Sequence, residues 1–216
     1  MSDLALIFDL DGTLIDSAPD IHIAVNQVMT RADLPHLTQA QVRGFVGNGA
    51  SVLLERCLKA NGHPGTGPDH ARLYEMFLAV YEDAHDLTTV YPGVRGSLNA
   101  LSGYRLGLCT NKPAAPTRSV LAHLGLLQSF EVIVAGDTLP QRKPDPAPLL
   151  ETLRQMGGGR AVFVGDSEVD AETAARADVP FVLFTKGYRK IGVEAFVKRA
   201  FFEDWTDFPG IISALK

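Results

Sequence analysis

Five apolar residues, Leu4-Ala5-Leu6-Ile7-Phe8, run directly into Asp9-Leu10-Asp11-Gly12-Thr13. An apolar pentad closed by a turn signal predicts a strand covered on both faces, and such strands belong to parallel α/β sheets. The strand then delivers two carboxylates to its C-terminal end, where open α/β sheets bind their ligands. With a period of two, Asp9 and Asp11 share one face while Leu10 points away. Two acids held this close need a cation between them, or one of them keeps its proton. A lone Asp-Gly could equally be a plain turn, so the rest of the chain has to decide.

Three further polar clusters end apolar runs or open helices. Leu106-Gly107-Leu108-Cys109-Thr110-Asn111-Lys112 ends a strand in a hydroxyl and an amide, Lys143-Pro144-Asp145 sets a cation before a helix, and Val162-Phe163-Val164-Gly165-Asp166-Ser167-Glu168-Val169-Asp170 ends a strand in acids. In this order and over this span, the four clusters resemble the four motifs of the haloacid dehalogenase superfamily of phosphatases.

Between the first strand and the next, near Arg105, lie far more residues than the dozen or so that a parallel crossover requires. Helical stripes fill the gap: Ile21, Val25 and Val28, then Leu73, Phe77, Val80 and Ala84. Ser17 is predicted to cap the first of these helices with Asp20 reaching back, and Asn61-Gly62 to close the helix that carries Val52, Leu53 and Leu58. The reading is a small helical domain, 16–89, inserted into a core made of 1–15 and 90–216. Its linkers pass near Asp16-Ser17 and through Leu87 to Gly93.

After the insertion, strands at Leu106–Thr110, Val132–Ala135, Ala161–Val164 and Phe181–Phe184 alternate with helices at Pro113–Leu124, Pro146–Met156 and Ala171–Ala177. This is a doubly wound, Rossmann-like α/β pattern. The tail from Ala200 reads as less regular, with a short helix over Phe208–Leu215.

The resemblance implies a role for each matching residue. Asp9 corresponds to the nucleophile that forms an aspartyl-phosphate, and Asp11 to the general acid and base. Thr110 corresponds to the hydroxyl that holds the phosphoryl group, helped by backbone N–H groups of Gly12 and Asn111. Lys143 corresponds to the cation set against nucleophile and phosphate. Asp166, with the Asp9 carboxylate and the Asp11 carbonyl, would complete a magnesium site of hard oxygen ligands. Asp170 either orients a metal-bound water, and so counts with the metal set, or caps the helix that follows. The inserted helices correspond to a cap domain.

Substrate choice is expected in that cap, and first in Arg43 to Gly49. Its Gly47-Asn48-Gly49 lacks the third glycine and the βαβ setting of a dinucleotide fingerprint, so a tight loop that lets backbone approach a small ligand is the reading. With Leu54-Glu55-Arg56 and Gly187-Tyr188-Arg189, this segment resembles bacterial phosphoglycolate phosphatases. A small phosphate that also bears a carboxylate needs a cation from the cap, which Arg43 or Arg56 would supply if they are not plain surface charges. A phosphosugar mutase, or a phosphatase for a sugar phosphate or pyrophosphate, would keep the same core residues.

Net charge of −5 argues against a polyanion partner. No uncharged apolar run approaches the ~18–20 residues that span a bilayer. A cytoplasmic enzyme acting on a small phosphate ester is expected, with no nucleic-acid or membrane partner, as monomer or homodimer. Cys57 and Cys109 form no metal-ligand spacing and read as buried thiols.

Overall fold

The computed structural model describes residues 4–215. Strand β1 (Leu4–Phe8) is buried along its whole length because parallel neighbours flank it on both sides and helices cover both faces. Those neighbours are β4 (Arg105–Cys109) and β6 (Arg160–Gly165), and β5 (Val132–Val134), β7 (Phe181–Phe184) and β8 (Ala200–Phe202) complete a six-stranded sheet ordered β5-β4-β1-β6-β7-β8. Every pairing in it is parallel. The chain winds outward from β1 to β5, then returns across β1 to continue through β6. That reversal leaves a crevice at the C-terminal ends of β1, β4 and β6, and the three strands aim Asp9, Thr110 and Asp166 there.

Helices α5 (Val94–Ala100), α6 (Ala114–His123), α7 (Ala147–Gln155), α8 (Glu168–Arg176) and α9 (Phe208–Ala214) surround the sheet. One face buries Leu6, Phe8, Val164 and Phe184 against an aromatic cluster of Phe202, Trp205 and Phe208; the other buries Ala5, Ile7, Phe163 and Leu183 against Leu149 and Ala174. The alternation along β1 is the two-residue period of a strand covered on both sides. The tail is more ordered than its sequence suggested, since β8 adds a sixth strand. Its Ala-Phe-Phe is too short to stand out by pattern, and pairing with β7 supplies what periodicity lacks.

The inserted segment holds α1 (Ala18–Arg31), α2 (Gln39–Phe45), α3 (Ala50–Ala60) and α4 (Pro68–Tyr81). Ile21, Val25, Val28, Val42, Leu54, Leu58, Leu73 and Phe77 close a hydrophobic core separate from the two flanking the sheet. The fourth residue of the Leu73 stripe, Ala84, lies past the end of α4, and Tyr81 takes the corresponding buried place. At the linkers, β2 (Ile15–Asp16) and β3 (Thr89–Val90) pair antiparallel and fix where the chain leaves and returns.

Two local expectations need correction. Ser17 precedes α1, but its side chain makes no capping bond; its hydroxyl donates to Asp11 Oδ1 instead. Asp20 turns away too, accepting from Leu87 N at 2.9 Å and Thr88 Oγ1 at 2.6 Å, so it clamps the return linker to the outgoing helix. Helix α8 begins at Glu168, three residues before the expected Ala171, because Ser167 and Asp170 form a reciprocal capping box.

Candidate active site

Asp9 follows β1 and is pinned by its backbone N–H to Val164 O at 2.9 Å. Its carboxylate lies 2.8 Å from Lys143 Nζ, which also lies 2.6 Å from Asp170 Oδ1. All three side chains are withdrawn from water. Burial raises the Asp9 carboxyl, Lys143 opposes that rise and Asp170 adds to it, leaving Asp9 at about 7. Burial pulls the Lys143 ammonium down, yet Asp170 and Asp9 outweigh it and hold Lys143 above the usual lysine value.

Asp166 directly follows β6 and is 1% exposed. Thr13 Oγ1 donates to its Oδ1 at 2.7 Å and Tyr188 N to its Oδ2 at 2.5 Å. Neither partner carries charge, so burial, followed by Asp170 and Asp9, pushes its carboxyl well above the usual range. Gly12 makes this approach possible: its φ is +87°, and a Cβ there would stand 2.5 Å from Asp166 Oδ2.

Oxygens of Asp9, Asp166 and Asp170 lie within 4.8 Å of one another. Fully ionised, the three carboxylates would exceed the single Lys143 ammonium by two negative charges, and a divalent cation would balance them. Hard oxygen donors suit magnesium. Asp170 is the most committed of the three: Oδ1 meets Lys143, while Oδ2 accepts from Ser167 N at 3.1 Å and Ser167 Oγ at 2.6 Å. Asp9 and Asp166 accept fewer bonds and keep more lone pairs for a metal, while Asp170 both caps α8 and holds Lys143.

Asp11 is placed beside Asp9 on the wall of the same cavity, where its Oδ1 accepts from Ser17 Oγ and from Lys112 Nζ, the latter at 3.3 Å. Thr110 faces that cavity from the end of β4 and accepts from Lys112 N at 3.2 Å. Asn111 acts mainly as a bracket. Its Nδ2 donates to Gly47 O and Lys143 O, and its Oδ1 accepts from Lys143 N, each at 2.9 Å.

The loop Gly47-Asn48-Gly49 is thus docked on the core. Gly49 has φ +91°, and a Cβ would sit 3.3 Å from Asn111 O. Arg43 and Arg56 are both engaged away from the cavity. Arg43 donates to Gly187 O at 3.0 Å with its guanidinium 4.8 Å from the Tyr188 ring centroid, and Arg56 donates to Phe45 O at 2.9 Å and Asn48 Oδ1 at 2.8 Å. Arg43 ties the insertion to the core, and Arg56 with Asn48 shapes the loop.

Sequence reasoning gave no role to Lys112, Tyr81, Thr13 or Tyr188. Lys112 stands next to a motif residue, and that adjacency was a usable signal. Tyr81 is separated from it by thirty-one positions and the turn of a separate helical layer, so no local pattern could pair them.

A model of the haloacid dehalogenase-like hydrolases matches residues 6–184. The chain belongs to that family. It is 45% identical over 213 residues to the phosphoglycolate phosphatase of Cereibacter sphaeroides, covering 97% of this chain and 98% of that one. The phosphoglycolate phosphatase of Rhodobacter capsulatus is 42% identical over 210 residues, 96% of each. Among solved structures, one described as a predicted phosphoglycolate phosphatase from Haemophilus somnus superposes with a TM-score of 0.89 at 31% identity, covering 98% of this chain and 99% of that one. The expected doubly wound α/β fold and haloacid dehalogenase-like family are therefore established. No helix among the described residues is long and apolar enough to cross a membrane.

Proposed function

We propose that the chain is a magnesium-dependent phosphatase that converts phosphoglycolate to glycolate and phosphate through an aspartyl-phosphate on Asp9. The observation that carries the chemistry is the Asp9–Lys143–Asp170 contact beside Asp11, Thr110 and Asp166. The substrate rests on near-full-length likeness to proteins named for it.

The unaided reaction is very slow, so the site must supply an aligned nucleophile, charge neutralisation and a proton. An Asp9 oxygen attacks phosphorus and the bond to the ester oxygen breaks. Asp11 gives its proton to the departing alkoxide. Water then attacks phosphorus, passes its proton to Asp11 and restores the Asp9 carboxylate. Thr110 and Lys143 hold the phosphoryl oxygens, and Lys143 keeps its charge because Asp170 stands behind it. Magnesium held by Asp9 and Asp166 would neutralise charge on the nucleophile and the phosphoryl group.

The site lies between the core's Asp9, Thr110 and Asn111 and the insertion's Gly47, Leu53 and Tyr81, so residues of both layers face whatever is joined to the phosphoryl group. The test is release of inorganic phosphate, with magnesium, from phosphoglycolate, glucose phosphates and pyrophosphate. Highest kcat/KM on phosphoglycolate is expected; conversion of a sugar phosphate to an isomer without phosphate release would make the chain a mutase.

A further inference from the structure

We infer that Lys112, with the Tyr81 hydroxyl, is the specificity-determining pair that receives the substrate's carboxylate; this rests on the phosphoglycolate reading. Lys112 is the one cation among the described residues that line the cavity beside Asp9 and Thr110. It is 5% exposed, its Nζ is 2.5 Å from Tyr81 Oη and 3.3 Å from Asp11 Oδ1, and it lies 4.2 Å from the Tyr81 ring centroid. An ammonium has three N–H donors, and these two contacts leave one for a ligand. By accepting from Lys112, the Tyr81 oxygen keeps its own proton as a donor.

The rest of the wall makes the assignment narrow. Ile21, Val46, Ala50 and Leu53 are apolar, and a carboxylate set against them without a cation would be strongly disfavoured. The arginines that the sequence offered for this task are bonded to Gly187 O, Phe45 O and Asn48 Oδ1. Lys112 also has the right register. It is two residues after Thr110, its N–H is bonded to the Thr110 hydroxyl, and both residues line the same cavity, so the two ends of a small ligand would meet Thr110 and Lys112 on one wall. Lys112 comes from the core and Tyr81 from the inserted α4, so the carboxylate would bridge the two and favour the docked arrangement only for a substrate that carries one.

Binding of two inert ligands to the magnesium-loaded enzyme tests this by calorimetry: phosphonopropionate, which replaces the ester oxygen of phosphoglycolate by a methylene, and ethylphosphonate, which lacks the carboxylate. Wild type is expected to prefer phosphonopropionate by about ten- to a hundredfold, the range of one charge-assisted contact. Lys112→Met should remove most of that preference, and Tyr81→Phe, which keeps the ring, should reduce it by about two- to tenfold. The kcat/KM ratio of phosphoglycolate to ethyl phosphate should fall in parallel. A preference that persists in Lys112→Met overturns the assignment while leaving the phosphoglycolate reading standing. If Lys112→Met does not fold, an unchanged preference in Tyr81→Phe overturns it. Equal binding of both ligands by wild type overturns the phosphoglycolate reading itself, and the Lys112 assignment with it.

Discussion

Lys143 Nζ lies closer to Asp170 Oδ1, at 2.6 Å, than to the proposed nucleophile Asp9, at 2.8 Å. The ammonium is therefore positioned from behind. Asp170 is itself fixed at the start of α8 by Ser167, so the register of a helix sets where the Lys143 ammonium points.

This arrangement separates two acids that the sequence grouped as metal ligands. Asp166→Ala should abolish the response to magnesium in both activity and calorimetric binding. Asp170→Asn, close in shape, should lower kcat about ten- to a hundredfold through a misaligned Lys143, with little change in half-saturating magnesium. A magnesium titration of both variants checks this, and a large loss of magnesium affinity in Asp170→Asn would return that residue to the metal.

The nucleophile makes its own demand. Asp9→Asn keeps the volume of the side chain but removes the charge that attacks phosphorus, so turnover should fall below detection while near-ultraviolet circular dichroism is unchanged. Mass spectrometry after a rapid acid quench should find phosphate on wild type and none on the variant.

Three of the four motifs were legible because each is a short polar signal at the end of an apolar strand, where this fold binds ligands, and Lys143-Pro144-Asp145 because it sets a cation just before a helix. The sheet was legible for the same reason: β1, β4, β6 and β7 are continuous apolar runs. Ser17 and Asp20 matched a capping pattern and did something else. Asp11, six residues before Ser17, and Thr88, sixty-eight residues after Asp20, compete for those side chains, and neither belongs to the capping pattern. The arginines failed as substrate readers for a similar reason, since carbonyls of Gly187 and Phe45 claim them first.

Asp20 yields a prediction about the linkers. It is 5% exposed and accepts two bonds from the return segment, so Asp20→Ala would strand the Leu87 N–H and the Thr88 hydroxyl. Bonds to a charged group of this kind contribute about 1.5–3 kcal/mol. Urea unfolding should show a loss of that size. Trp205 packs in the aromatic cluster against the sheet, so its fluorescence follows the core and circular dichroism follows both layers; non-coincident transitions are expected in the variant.

Both thiols should be inert in the folded protein. Burial pushes Cys57 and Cys109 up to about 12, so at pH 8 only about one in ten thousand of either is thiolate. A chromogenic disulfide reagent should find no fast-reacting thiol until denaturant is added, and then two. Activity should survive prolonged exposure to iodoacetamide at neutral pH.

The last prediction concerns the arginines, whose bonds imply effects that do not discriminate between substrates. Arg56 joins Phe45 O to Asn48 Oδ1 and so sets the shape of the loop whose Gly47 carbonyl docks on Asn111. Arg43 grips Gly187 O and the Tyr188 ring, and the neighbouring Tyr188 N–H holds Asp166. Removing either guanidinium loosens the docking of the insertion and, for Arg43, the support behind Asp166, without removing a side chain that lines the cavity. Arg43→Ala and Arg56→Ala should therefore lower kcat/KM for phosphoglycolate and for ethyl phosphate by similar factors, about three- to thirtyfold each if one hydrogen bond to a carbonyl is lost at the transition state. A loss confined to phosphoglycolate would show that the arginine meets the carboxylate during turnover, and would move substrate recognition from the Lys112 side of the cavity to the insertion.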